Sequence, residues 1–72
     1  MSNLNVRSQA DDLVSNERSE LQYACKMLGE ALTYDAIQMQ SNIVTNAAYR
    51  LCRAIALREQ LEKELPPLEA KP

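Results

Sequence analysis

Histidine, tryptophan and phenylalanine are missing from these 72 residues, glycine occurs once and cysteine twice. Each absence closes off a class of protein. Without histidine, and with only Cys25 and Cys52 far apart in the chain, no zinc-ligand spacing exists. Neither a structural metal nor a cofactor is expected. A lone Gly29 and prolines confined to positions 66, 67 and 72 leave nothing to punctuate strands and β-hairpins. The opening "MSNLNVRSQADD" has no basic lead followed by an apolar run, so no secretory leader is expected. No stretch approaches the ~18 apolar residues of a membrane span. The expectation is a cytoplasmic chain with reduced thiols and no membrane contact.

With Tyr23, Tyr34 and Tyr49 as the only aromatics, the core must be built from aliphatic side chains, Met and Cys. A chain this short buries only about 60% of the surface its unfolded form exposes. Alone it would be marginally stable, and association with another chain is the remaining remedy. A formal charge of −2 gives neither a nucleic-acid signature nor an acidic tail.

What is present is helical periodicity. Val6, Ala10, Leu13, Val14, Leu21, Ala24, Cys25, Leu28, Ala31 and Leu32 fall within roughly a 120° arc at 100° per residue. Glu17 is the one intruder. Ser8 ahead of Asp11 and Asp12 reads as an N-cap with acids in the first turn. Ser19 with Gln22 is a competing capping box. The first helix is therefore expected from about residue 9, or from 17 if its beginning frays.

Continuing that phase beyond Leu32 would put Asp35, Gln38 and Asn42 in the stripe. A fresh count restores it, through Ala36, Ile37, Ile43, Val44, Ala47, Ala48, Leu51, Ala54, Ile55, Leu61 and Leu65. The phase break predicts a reversal between Leu32 and Ala36, with Thr33 capping the second helix, Asp35 in its first turn and Gly29 loosening or ending the first. The residue before Pro66 avoids helical geometry, so the second helix should end near 64. The expected organisation is a flexible N-terminus at 1–8, a helical hairpin at 9–65 and an extended tail at 66–72. The fold class is all-α, an antiparallel hairpin of two long helices, completed as a four-helix bundle by dimerisation or by a partner protein. Facing positions should sum to roughly 67, which holds the thiols about 15 Å apart along the axis. That exceeds disulfide reach. Cys25 reads as a small core residue and Cys52 as an edge residue.

The stretch "AIQMQSNIVTNAAY", residues 36–49, carries no charge. In a two-helix hairpin each helix has one neighbour, so a wide uncharged face can be covered fully only by a second molecule. The candidate protein interface is Ile37, Gln40, Ile43, Val44, Ala47, Ala48, Leu51 and Ile55. Within it Gln40 is the best candidate for an amide that fixes register. Val44→Glu or Ala48→Glu should then dissociate the assembly. The competing reading is a stretch that packs inside one hairpin or simply faces water.

Arg50, Arg53 and Arg58 are candidate anion or phosphate contacts, and Glu17 or Glu20 of the first helix could pair with the first two instead. Arg58 and Glu62 project into the second stripe, to ion-pair across a dimer or to snorkel into water. A DNA-binding regulator built on a helical dimer is the alternative function, although a dense basic face and a helix-turn-helix are absent. Catalysis needs convergent polar groups in a concave site. No glycine-rich phosphate loop is present, and Glu17 and Glu62 are the only carboxylates in the stripes, so neither an enzyme nor a small-molecule substrate is expected.

In length and helix pattern, though through no motif, the layout resembles the short hairpin chaperones of type III secretion systems. That resemblance implies a chain unstable alone that co-purifies with a partner. The reading as a whole is a small protein of bacterial or phage type, a protein-binding regulator, inhibitor, adaptor or chaperone, acting on a protein partner or on itself as a homodimer.

Overall fold

The computed structural model describes residues 3–64, with side chains from Asn5 onward. Helix α1 spans Asn3–Glu30 and helix α2 spans Tyr34–Glu64. They pack against each other as a hairpin, joined by residues 31–33. The expected tail at 66–72, and Leu65 at the end of the second stripe, lie outside the described residues.

The reversal falls at residues 31–33, slightly ahead of the span expected from the phase break. The Ala31 amide donates to the Leu28 carbonyl at 3.1 Å, tightening the end of α1. Thr33 then starts α2 as its cap. Its Oγ1 accepts from the Ala36 amide at 3.1 Å, and its carbonyl accepts from the Ile37 amide at 2.9 Å. Asp35 lies in the first turn, where the helix dipole favours a carboxylate. Thr33→Ala should therefore cost about 1 kcal/mol, readable as a lower urea midpoint with an unchanged slope.

Gly29 neither ends α1 nor adopts a positive φ. It is an ordinary helical position, and a Cβ built there meets nothing within 4 Å. Its only effect is the conformational freedom it leaves to the unfolded chain. Gly29→Ala should stabilise the hairpin by about 0.5–1 kcal/mol, which differential scanning calorimetry would register as a rise of several degrees in Tm.

The first helix begins at Asn3, earlier than the start expected near 9, so residues 3–8 are helix where a flexible segment was expected. Ser8 and Ser19 are interior positions, and α1 has no acid in its first turn. The long α2 explains the early start, because it runs far enough to give those first turns something to pack on. Arg7 is buried and pairs with Glu62 near the end of α2, and Asp11 meets Arg58 at 3.5 Å. With Glu17–Arg50 at 3.1 Å, these three pairs tie α1 to α2 along its length. Glu17–Arg50 fits the expected antiparallel sum, and the other two exceed it by two positions.

The core is thin. Among the described residues Ala10, Val14, Ala24, Ala47, Leu51 and Ala54 are the buried apolar ones. Val14, Leu51 and Ala54 form its centre, with Leu21 and Ile55 packed against them. Four of the six are alanines, which lets the helix backbones approach closely but removes little apolar area from water. A single neighbouring helix covers only the middle of each stripe. At the edges Leu13 remains 38% exposed and Ile43 41%. Leu32, expected in the stripe, is exposed because it sits in the turn beyond the end of α1. Cys25, expected in the core, is exposed because Ala24 occupies the buried place beside it. Both cysteines are free, as the register requires.

Candidate functional site

The uncharged stretch lies entirely within α2, and the structure splits it between core and surface. Ala47 is 1% exposed and faces α1. Ile37, Met39, Ile43 and Tyr49 are exposed. The polar members are satisfied locally in part: the Thr45 hydroxyl donates to the Ser41 carbonyl one turn earlier, at 3.0 Å. Lack of charge therefore marks no single buried face.

The eight candidate interface residues separate in the same way. Ala47 and Leu51 are consumed by the hairpin's own core, and Ile55 packs against that core. Val44 and Ala48 are half-buried. Ile37 and Ile43, six positions apart, point about 120° away from each other around the helix. Ile37 lines a shallow depression with Tyr34, Gln38, Ser41 and Asn42. Gln40, Ile43 and Ala47 instead line a cleft of about 350 Å³, completed by Glu20, Tyr23, Ala24 and Met27 of α1 and by Arg50.

That cleft continues along the seam between the helices. Arg50 also lines a second cleft of about 300 Å³, with Leu13, Glu17, Arg53, Ala54 and Leu57. The two clefts form one open groove on one side of the hairpin, apolar at both ends and crossed in the middle by the Glu17–Arg50 pair. The α1 half of this groove, with Leu13, Tyr23 and Met27, was missing from the sequence-based site. An interface sought only in the uncharged stretch could not include residues of the other helix. Gln40 sits half-buried at the groove wall beside Ile43, a suitable place for an amide at a helix seam.

The three candidate anion-binding arginines have partners in the chain itself. Arg50 donates through Nε to Glu17, and Arg58 through Nη1 to Asp11. Arg53 lies over the Tyr49 ring, 5.8 Å from its centroid. Glu62, expected to reach across a dimer or into water, stays exposed and accepts from Arg7 of the same chain. Arg7 lies ahead of the helix start that Ser8 and the two aspartates predict. Its signal was its phase, since it precedes Val14 by seven positions and so shares its face.

Among the described residues no helix is long and apolar enough to cross a membrane, and no group of three or more His, Cys, Asp or Glu side chains gathers as a metal site. Fold and groove together define an all-α helical hairpin with an open, largely apolar seam. No protein-family model, curated protein or solved structure matches this chain.

Proposed function

We propose that this chain is a small non-enzymatic protein-binding regulator, inhibitor, adaptor or chaperone, working through the groove between α1 and α2. Helices of the occupant complete a four-helix bundle there. One observation carries the reading: among the described residues six apolar ones are buried, four of them alanines, while nine large apolar side chains remain exposed. Four of the nine, Leu13, Tyr23, Ile43 and Leu57, line the groove, Leu13 with Leu57 on one side of the Glu17–Arg50 pair and Tyr23 with Ile43 on the other. Scattered exposed leucines are ordinary, whereas apolar side chains gathered along one groove, on either side of an ion pair, are the form of an interaction surface. The occupant is another helical surface, because a long open groove between two helices accepts the apolar face of a helix.

The arginines weigh against the DNA-binding alternative. Arg50 and Arg58 are engaged by carboxylates, and phosphate contact would require breaking those pairs.

Light scattering after size exclusion, read beside circular dichroism and thermal melts of the purified chain, tests the reading. A stable helical oligomer supports it. So does a monomer that is largely unfolded alone, since such a chain depends on a partner for its structure. A fully helical, cooperatively melting monomer would overturn it, because the seam would then have no need of cover.

A further inference from the structure

Resting on the protein-binding reading above, we infer that the occupant of the groove is a second copy of this chain. The copies are related by a two-fold axis running along the hairpin, with both turns at the same end.

Charge argues first. The groove is crossed at one level by one anion and one cation, Glu17 and Arg50, 3.1 Å apart. A two-fold axis along the hairpin lays α1 of each copy against α2 of the other. Glu17 of each then faces Arg50 of its mate, closing a ring of four charges that alternate in sign. An axis across the hairpin would instead stack Glu17 on Glu17 and Arg50 on Arg50, and like charges so juxtaposed are costly. A uniformly acidic or basic partner would match one of the two charges and oppose the other. The groove's electrostatics are complementary to themselves, which is what an isologous interface demands.

The apolar levels agree with that operator. On one side of the charge pair the groove is lined by Leu13 and Leu57, and on the other by Met27 and Ile43. An axis along the hairpin keeps each level in place, so the Leu13 and Leu57 level meets its own copy and the Met27 and Ile43 level does the same. Every neighbouring pair of helices is then antiparallel, the arrangement of an up-down four-helix bundle. Area suffices as well. A side as long as α2, about 46 Å at 1.5 Å per residue, and 19 Å wide exceeds the ~800 Å² each partner supplies to a standard interface.

The test uses the full chain and two charge-reversed variants in sedimentation equilibrium, with circular dichroism as a check on folding. The wild type should have twice the chain mass. Glu17→Arg puts four positive charges around the ring and Arg50→Glu four negative ones, so each variant alone should raise the dimer Kd at least about tenfold. Mixed one to one, they should recover the dimer, because the cations of one copy now face the anions of the other. Recovery depends on these residues meeting across the interface, since within each variant the pair stays repulsive. Ile43→Glu and Leu57→Glu should also halve the mass while keeping helicity. A mixture of the charge variants that stays monomeric, or an Ile43→Glu chain that stays dimeric, overturns this arrangement. A wild type that is monomeric and poorly helical overturns self-association but leaves the partner-binding reading standing. A monomeric, fully helical wild type overturns both.

Discussion

Ala47→Glu is expected to abolish the helical hairpin, with most of the far-ultraviolet helical signal lost at 25 °C. Among the described residues Ala47 is the most deeply buried apolar one, at 1% exposure, on the face of α2 that packs against α1. A carboxylate there must either shed its water or push the helices apart. Desolvating an unpaired charge costs several kcal/mol. The nearby cation, Arg50, is already held by Glu17. Native domains are stable by about 0.05–0.15 kcal/mol per residue, so a chain of 72 residues has little beyond that cost in reserve. Asn46→Glu is the control, one position away on the same helix and exposed, and should change stability by no more than about 0.5 kcal/mol. Retained helicity in Ala47→Glu would mean that α2 does not pack on α1 through this face.

The hairpin was legible in the sequence because its signals are local. The phase break near Thr33, the capping hydroxyl and the following Asp35 all act within one helical turn, and all appear in the structure. The antiparallel register followed from the turn position and predicted the free thiols, while the choice between Glu17 and Glu20 as partner of Arg50 stayed open in the sequence and falls to Glu17 in the structure. Less legible was which part of each apolar stripe would be covered. Periodicity identifies a face but not its width. The arc drawn through Leu13, Val14 and Cys25 is broader than one neighbouring helix can bury, so Val14 is enclosed while Leu13 and Cys25 are not. The start of α1 was misplaced for a related reason. Ser8 ahead of two aspartates has the composition of a cap, but a cap forms only where the helix ends, and packing against the far end of α2 carries α1 back to Asn3. The groove was the least legible feature, because it is a property of two helices together. Its members recur at spacings of three and four on each helix, but they are a mixture of apolar, charged and amide residues, and neither row alone shows that the other lies across from it.

Leu51→Ala probes the centre of that thin core. Leu51 is 8% exposed and touches Val14 and Ala54, with Leu21 and Ile55 packed around them. It is the only buried residue larger than valine among the six apolar ones. Leucine-to-alanine changes in cores cost about 2–5 kcal/mol, the spread reflecting how far the site collapses. Two helices joined at one end can close on the space more readily than a core enclosed on every side, which favours the lower half, about 2–3 kcal/mol. At roughly 4–8 °C per kcal/mol for a domain of this size, Tm should fall by about 10–20 °C. Protein concentration must be held fixed, since association makes Tm depend on it. Leu32→Ala removes the same atoms from a position 92% exposed and should shift Tm by only a few degrees at most. Val14→Ala removes the partner across the seam, so the double variant should lose less than the two single losses combined, by about 0.5 kcal/mol or more. Strict additivity would place Val14 and Leu51 in separate packing environments and contradict the single central cluster.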